Sequence, residues 1–202
     1  MKYSIATAAV LVLFAAACGP KWQETEADGY KLVTQKKGAT LGYTSVPLLT
    51  VDKYAFKDLN RNGALDPYED WRLPAETRAK DLASQLSIEE IAGLMLYSGH
   101  QAVPGPDLTD QQRKFLTEDN LRAVLVTTVE SPEVAARWNN NVQALVEGLG
   151  HGIPANNSSD PRNETAATAE FNMGAGGKIS LWPTTLGLAA TFDPTLVEHI
   201  IY

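Results

Sequence analysis

One stretch of the sequence carries oxygen-bearing side chains at the spacing that a calcium ion requires. Residues 58–69 read DLNRNGALDPYE, and every position fits the calcium-loop pattern D-x-[DN]-x-[DN]-G-x5-E. Such a loop wraps about six to eight oxygens round one hard cation. The candidate ligands are the side chains of Asp58, Asn60, Asn62, Asp66 and Glu69 and the backbone carbonyl of Ala64.

The same residues are also compatible with an Asx-rich turn held by its own side-chain hydrogen bonds. If Ca²⁺ binds, we expect a structural ion and not a sensor, because the loop has no paired second loop. The ion would tie the segment before the loop to the first helix. Dockerin-like modules carry similar loops, so the pattern alone does not separate an enzyme from a structural module. No organic cofactor is indicated.

A second set of polar side chains follows a short apolar stretch in residues 153–162, IPANNSSDPR. In proteins that alternate strands and helices, ligands bind where strands give way to loops at their carboxyl ends. Side chains that form hydrogen bonds at such a place suit a ligand rich in hydroxyl groups, and Asp160 and Arg162 are the candidates. Residues of these types are also the commonest turn formers, so a simple turn is the alternative.

The composition excludes some classes of function. The chain has 202 residues, 44% of them hydrophobic, and a formal net charge of −7. Basic residues do not cluster along the sequence, so nucleic acid is not an expected partner. The three histidines, His100, His151 and His199, lie far apart and do not have the spacing of a metal site.

The amino terminus has the build of an export signal. Residues 1–17 contain one early charge, Lys2, and then an apolar run that is too short to span a bilayer. Small residues lead into Cys18, the only cysteine, as in the lipobox of bacterial lipoproteins. We therefore expect Cys18 to be acylated, which would make the chain a periplasmic or outer-membrane lipoprotein of a Gram-negative bacterium. An ordinary signal peptide with a chance cysteine is the alternative.

The remaining sequence predicts the elements that position these residues. Residues 18–50 are expected to form a lipidated tether and an irregular segment that leads into the domain. Helices are predicted from about Ala75, from the capping box at Ser87 and from Ser131, with short strands at 123–126 and from Ile153. Strand, helix and strand make a βαβ unit with parallel pairing. A helix at 166–173, a strand at 179–183 and a helix at 195–200 complete the α/β pattern.

Apolar residues at helical spacing indicate which faces of the predicted helices are buried. The residues predicted to face the core are Ala79, Leu82, Ala83 and Leu86 in the first helix, Ile91, Leu94 and Met95 in the second, and Val134, Trp138, Val142, Leu145 and Val146 in the third.

Four ordered blocks of the sequence resemble the amino-terminal domain of glycoside hydrolase family 3, and in particular bacterial lipoproteins of β-glucosidase type. The blocks are residues 58–73 (DLNRNGALDPYEDWRL), 86–95 (LSIEEIAGLM), 152–162 (GIPANNSSDPR) and 181–194 (LWPTTLGLAATFDP). The resemblance runs from about residue 51 to the end. It implies exo-acting, retaining cleavage of β-linked sugars by a (β/α)8 barrel that is followed by an α/β sandwich domain.

The resemblance assigns a role to one residue of the polar stretch. The family's aspartate that binds hydroxyl groups of the terminal sugar maps onto Asp160, and Arg162 would clamp that carboxylate or the sugar. The nucleophile and the acid/base of the family lie beyond the matched region. We therefore expect residues 51–202 to be a partial (β/α)8 TIM-type barrel, truncated after the first few βα units, with no catalytic residues of its own. A non-catalytic, sugar-binding or calcium-stabilised surface lipoprotein is the alternative.

Overall fold

The computed structural model describes residues 19–27, 29–98, 103–126, 128–158, 176–177 and 185–201. The strands are β1 Trp22–Ala27, β2 Tyr30–Gln35, β3 Leu41–Tyr43, β4 Leu48–Val51, β5 Tyr54–Lys57, β6 Tyr97–Ser98, β7 Ala123–Leu125, β8 Thr128–Val129, β9 Asn156–Ser158 and β10 Gly176–Gly177. The helices are α1 Ala75–Gln85, α2 Ile88–Met95, α3 Asp110–Thr117, α4 Pro132–Glu147, α5 Thr185–Ala189 and α6 Pro194–Ile201.

The amino-terminal part forms antiparallel sheets, so the prediction of an irregular tether over this region was wrong. Strands β1, β2 and β3 pair in that order, and β4 pairs with β5 across a two-residue turn. Their apolar side chains bury a small core of Val33, Tyr43, Val46 and Ala55. The sequence concealed these strands because β1 exposes nearly every residue, which leaves no alternation of apolar and polar positions.

The predicted βαβ unit is confirmed. β7 lies between β6 and β9 in a parallel sheet, and α4 connects β7 to β9. The second strand starts at Asn156 and not at Ile153 as predicted. The Gln143 side chain donates to the Ala155 carbonyl at 2.8 Å and accepts from the Ala155 N–H at 3.1 Å. The backbone at Ala155 is therefore bonded to a side chain of α4, and pairing with β7 begins one residue later.

Helix α4 supplies most of the second core. It starts where predicted, with the Ser131 hydroxyl accepting from the Val134 N–H and with proline in the first turn. Trp138, Val142 and Val146 are buried along one side, as predicted, and pack against β7 and α3 residues. Burial of each such apolar side chain contributes about 1.5–3 kcal/mol.

Helices α1 and α2 begin near the predicted places, but the prediction of their buried faces was wrong. The capping box of Ser87 and Glu90 is present. No residue of α1 is buried, Met95 of α2 is 81% exposed, and Ile91 is 39% exposed. The buried residue of α2 is Gly93, where an added Cβ would lie 2.4 Å from the carbonyl oxygen of Asp119. The helix approaches its neighbour through this glycine, so the apolar stripe faces outward.

The chain is an α/β protein, and the parallel strands of the described residues form sheets of three and two strands without closing into a barrel. The helix predicted at 195–200 is present as α6. The helix predicted at 166–173 and the strand predicted at 179–183 lie outside the described residues. Among the helices of the described part, none has the length and apolar character needed to cross a membrane.

Candidate cation loop and strand edge

The loop from Asp58 to Glu69 closes on itself through its two terminal carboxylates. Asp58 and Glu69 are 3% and 4% exposed. One oxygen of Glu69 accepts from the Leu59 N–H at 2.6 Å, and the other accepts from the Asp66 N–H at 3.1 Å. Asp58 Oδ2 accepts from the Gly63 N–H at 3.0 Å. Gly63 has φ +77, the left-handed conformation that a sharp turn needs.

The three other side chains proposed as ligands also converge. Asn60 and Asn62 donate their amide groups to Asp66 Oδ2 at 2.6 and 2.7 Å. Their amide oxygens accept from backbone N–H groups further along the loop. The structure therefore brings the five predicted side chains into one folded loop that also includes Ala64. These short-range bonds are equally those of the Asx-rich turn that is the alternative.

The charge of the loop is not balanced by the protein groups described. Asp58 Oδ1 is buried and accepts no hydrogen bond from the described residues. Burial raises the pKa of Glu69, although backbone N–H groups act in the opposite direction. Burial and the nearby Glu69 carboxylate also raise the pKa of Tyr68. An orphaned carboxylate oxygen and a desolvated acid side by side fit a bound cation.

The carboxylates do not form a metal site unaided. Within the described part of the chain, no group of three or more His, Cys, Asp or Glu side chains is arranged to hold a metal ion. A cation here would therefore depend on the oxygens of Asn60, Asn62 and Ala64 as well as on the acids. This donor set, made only of oxygens, suits Ca²⁺ rather than zinc or iron.

Tyr68 connects the loop to two other elements. Its N–H donates to Asp81 of α1 at 3.1 Å, and its carbonyl accepts from Arg78 Nε at 3.0 Å. Its ring meets the His151 ring edge to face, with centroids 6.0 Å apart. Gly152, next to His151, packs closely against the Leu59 side chain of the loop, since a Cβ added at Gly152 would lie 2.8 Å from it. The loop is therefore fixed both to α1 and to the segment that leads into β9.

Glu147 makes a further connection that the sequence analysis missed. This buried acid accepts from the Thr44 N–H and hydroxyl at 2.6 Å each and from Lys57 Nζ at 2.9 Å. Burial acts to raise its pKa, but the bonds from Thr44 and Lys57 hold the pKa below its ordinary value. An acid in the last turn of a helix opposes the helix dipole. That misplaced charge was the signal in the sequence that a partner had to be present.

The polar stretch predicted to bind a ligand divides into a strand and a part that is not described. Asn156–Ser158 form β9, and the Asn157 amide donates to Asn139 Oδ1 of α4 at 2.7 Å. Asp160 and Arg162, like Cys18 and the predicted leader, lie outside the described residues. Ser158 ends β9 at its carboxyl edge, two positions before Asp160 in the sequence. The ligand role of Asp160 and Arg162 therefore stays a prediction.

Comparisons with known proteins identify the relatives of this chain. It is 38% identical over 175 residues to a periplasmic beta-glucosidase/beta-xylosidase of Dickeya chrysanthemi, an alignment that covers 83% of this chain and 27% of that protein. It is 31% identical over 154 residues to beta-glucosidase C of Emericella nidulans, covering 70% of this chain and 23% of that protein. The chain is a relative of β-glucosidases. The resemblance expected from the sequence is confirmed.

A third relative agrees with the first two. A probable beta-glucosidase C of Aspergillus oryzae is 30% identical over 155 residues, covering 68% of this chain and 23% of that protein. The chain therefore spans about a quarter of the length of the curated proteins that it matches. No protein-family model matches the chain.

The chain also has an open cleft of about 1160 Å³ between α4 and its amino-terminal part. Its lining includes Glu147, Gly152 and Pro154, which lie at the end of α4 and in the segment before β9. This cleft reaches the amino-terminal edge of β9, whereas Asp160 follows its carboxyl-terminal edge. The cleft is therefore not the ligand edge that the sequence predicted.

Proposed function

We propose that this chain is the amino-terminal part of an exo-acting, retaining β-glycosidase of glycoside hydrolase family 3. Its substrates would be β-linked glucosides or oligosaccharides. The observation that carries the proposal is the 38% identity over 83% of the chain to a periplasmic beta-glucosidase/beta-xylosidase. The parallel βαβ unit of β7, α4 and β9 supports it, since such units build (β/α)8 barrels. The parallel strands β6, β7 and β9 would be among the first of that barrel.

Asp160 and Arg162 are the residues that we propose to contact the terminal sugar. A carboxylate can accept from two adjacent hydroxyl groups, and these charge-assisted bonds fix both the position and the orientation of the ring. Arg162 has five N–H donors in a planar fork, which suits either the Asp160 carboxylate or the sugar oxygens. The position of both residues after β9 supports this assignment, because barrel sites form at the carboxyl ends of strands.

The chemistry would need groups from outside this chain. Retaining hydrolysis uses two carboxylates about 5–5.5 Å apart, one as nucleophile and one as acid and base. A complete (β/α)8 barrel takes about 250 residues. We assign no residue of this chain to either role. The 202 residues alone are then expected to bind a sugar without cleaving a glycosidic bond.

Ca²⁺ is the ion that the loop would hold, through Asp58, Asn60, Asn62, Asp66, Glu69 and the carbonyl of Ala64. It would neutralise the buried carboxylates and so fix the positions of α1 and of the segment before β9. Its role in this proposal is structural, and no step of the sugar chemistry passes through it.

Export is the remaining part of the proposal. The relative from Dickeya chrysanthemi is periplasmic, and residues 1–17 with Cys18 have the composition of a lipoprotein signal. Acylation of Cys18 would hold the protein on a membrane by burying acyl methylene groups in the bilayer.

A ligand-stabilisation experiment tests the sugar assignment. Glucose is expected to raise the melting temperature of the chain, and Asp160→Asn is expected to abolish that rise because the amide loses the charge that binds the hydroxyl groups. Asp119→Asn, a change at an exposed aspartate between α3 and β7, should retain it. If Ca²⁺ stabilises the chain and glucose has no effect on either variant or on the parent, the non-catalytic, calcium-stabilised lipoprotein is the better account.

A further inference from the structure

Two turns and the start of β1, at one end of the amino-terminal sheets, bring together lysines that are scattered in the sequence. Trp22 pairs with Gln35, so the start of β1 lies beside the turn that contains Lys36 and Lys37. The Lys21 N–H donates to the Lys53 carbonyl at 2.7 Å, which places the β4–β5 turn at the same end. We call Lys21, Lys36, Lys37 and Lys53 the lysine rim.

Aromatic side chains accompany the lysine rim. Lys21 Nζ lies 5.0 Å from the centre of the Tyr54 ring. Trp22 and Tyr54 are half-buried and line an open depression of about 710 Å³ together with three of the lysines. Lysines beside tryptophan and tyrosine rings are typical of surfaces that meet the headgroup layer of a membrane.

The charge of the lysine rim contrasts with that of the whole protein. The chain carries a formal net charge of −7, yet all four rim lysines are exposed. The acid of the β4–β5 turn, Asp52, is paired with Arg72 at 2.8 Å.

We propose that the lysine rim is a second membrane contact, which binds the anionic phospholipid headgroups of the bilayer that holds the acylated Cys18. This inference rests on the proposed acylation. Cys18 lies only three positions before Lys21, so an acyl anchor would hold the rim at the bilayer surface. Negative headgroups attract lysines near the surface, and the attraction falls off within a Debye length. The contact would orient the protein, with the sheets of its amino-terminal part against the membrane.

The test is a lysine footprint on the mature protein as isolated from cells, reconstituted into phosphatidylcholine vesicles with or without phosphatidylglycerol. Each lysine is acetylated, and its rate of modification is read by mass spectrometry. We expect the rim lysines to react about fivefold more slowly on the anionic vesicles, the factor that matches the attraction of one lysine to such a surface. Lys80 and Lys114, which are 76% and 62% exposed on α1 and α3, are internal controls that should not change.

Salt and lipid composition separate the rim from the anchor. High salt should remove the protection while the protein still sediments with the vesicles. Equal protection on vesicles without phosphatidylglycerol, or equal protection of Lys80, would overturn the proposal. The mass of the Cys18 peptide reports acylation independently. If Cys18 carries no acyl chain, salt-sensitive protection of the rim on anionic vesicles still supports the surface, and its absence refutes it.

Discussion

The amino-terminal sheets with the cation loop, residues 22–73, and the βαβ unit, residues 97–158, are held together in different ways. In the first region, buried carboxylates collect hydrogen bonds from residues close in sequence, as Glu69 does from Leu59 and Asp66. In the second, apolar side chains from distant elements pack round Trp138. Glu147 joins the two regions through Lys57 and Thr44. The first region therefore combines a small apolar core with buried charges, whereas apolar packing dominates the second.

The largest expected effect is in the packed region. Trp138 is 2% exposed and its indole N–H donates to Gln112 at 3.2 Å. Trp138→Ala is expected to lower the free energy of unfolding by about 3–5 kcal/mol, because it leaves a cavity in the core. Chemical denaturation measures the change. Ile88→Ala, at an 81% exposed site, should stay within about 0.5 kcal/mol. Equal effects of the two substitutions would show that packing does not dominate this region.

Calcium should have the next largest effect, and it should act on the other region. At a concentration about 100 times Kd, Ca²⁺ is expected to stabilise the chain by about 2.7 kcal/mol. Glu69→Gln removes a charged ligand, so the variant should lose most of this gain in thermal unfolding with and without chelator. Glu89→Gln, at an exposed position of α2, should keep it. A calcium response that survives Glu69→Gln would place the ion elsewhere.

The connection between the regions should contribute somewhat less. Glu147→Gln removes the charge that holds Lys57 and Thr44, and about 1.5–3 kcal/mol of unfolding free energy is expected to go with it. Glu133→Gln in the same helix removes an ion pair with Arg137 in which the Glu133 side chain is 81% exposed. This substitution should lower the free energy of unfolding by about 0.3–0.5 kcal/mol at most. Urea titration of both variants distinguishes them. If they unfold alike, Glu147 does not join the regions.

The smallest predicted effects are dependences on pH, and the two buried acids should differ in sign. The folded pKa of Glu147 is lowered, so its contribution is present above the unfolded pKa and is lost as the pH falls through the folded pKa. The folded pKa of Glu69 is raised, so without Ca²⁺ the fold gains stability as the pH falls and Glu69 takes up a proton. In Glu147→Gln, the free energy of unfolding should fall less as the pH is lowered than it does in the parent chain. In Glu69→Gln, the rise in that free energy at acid pH should be absent. Parallel curves for both variants would contradict these assignments.

Features set by residues close in sequence could be predicted, whereas features set by contacts between distant residues could not. The folding of residues 58–69 into one loop could be predicted because those residues are close in sequence, and helix α4 because its cap and apolar spacing are local. That the loop binds Ca²⁺ stays a prediction. Strand β1 was missed because it exposes nearly every residue and so carries no apolar alternation. The lysine rim depends on contacts between residues far apart in the chain, which no local pattern contains. The position of Glu147 at the end of α4 signalled a partner but did not identify Thr44 or Lys57 as that partner. The outward-facing stripe of α2 was misassigned because Gly93, and not a large apolar residue, makes its close contact.

Ligand-observed NMR of an aryl β-glucoside mixed with the 202-residue chain can decide whether the chain binds a sugar without cleaving it, since one spectrum reports both binding and cleavage. We expect saturation transfer to the glucosyl protons, its loss in Asp160→Asn, and no free aglycone over the incubation. Release of aglycone by the chain would contradict the proposal that the catalytic carboxylates come from outside it. Absence of saturation transfer in the parent chain would contradict the proposed sugar site.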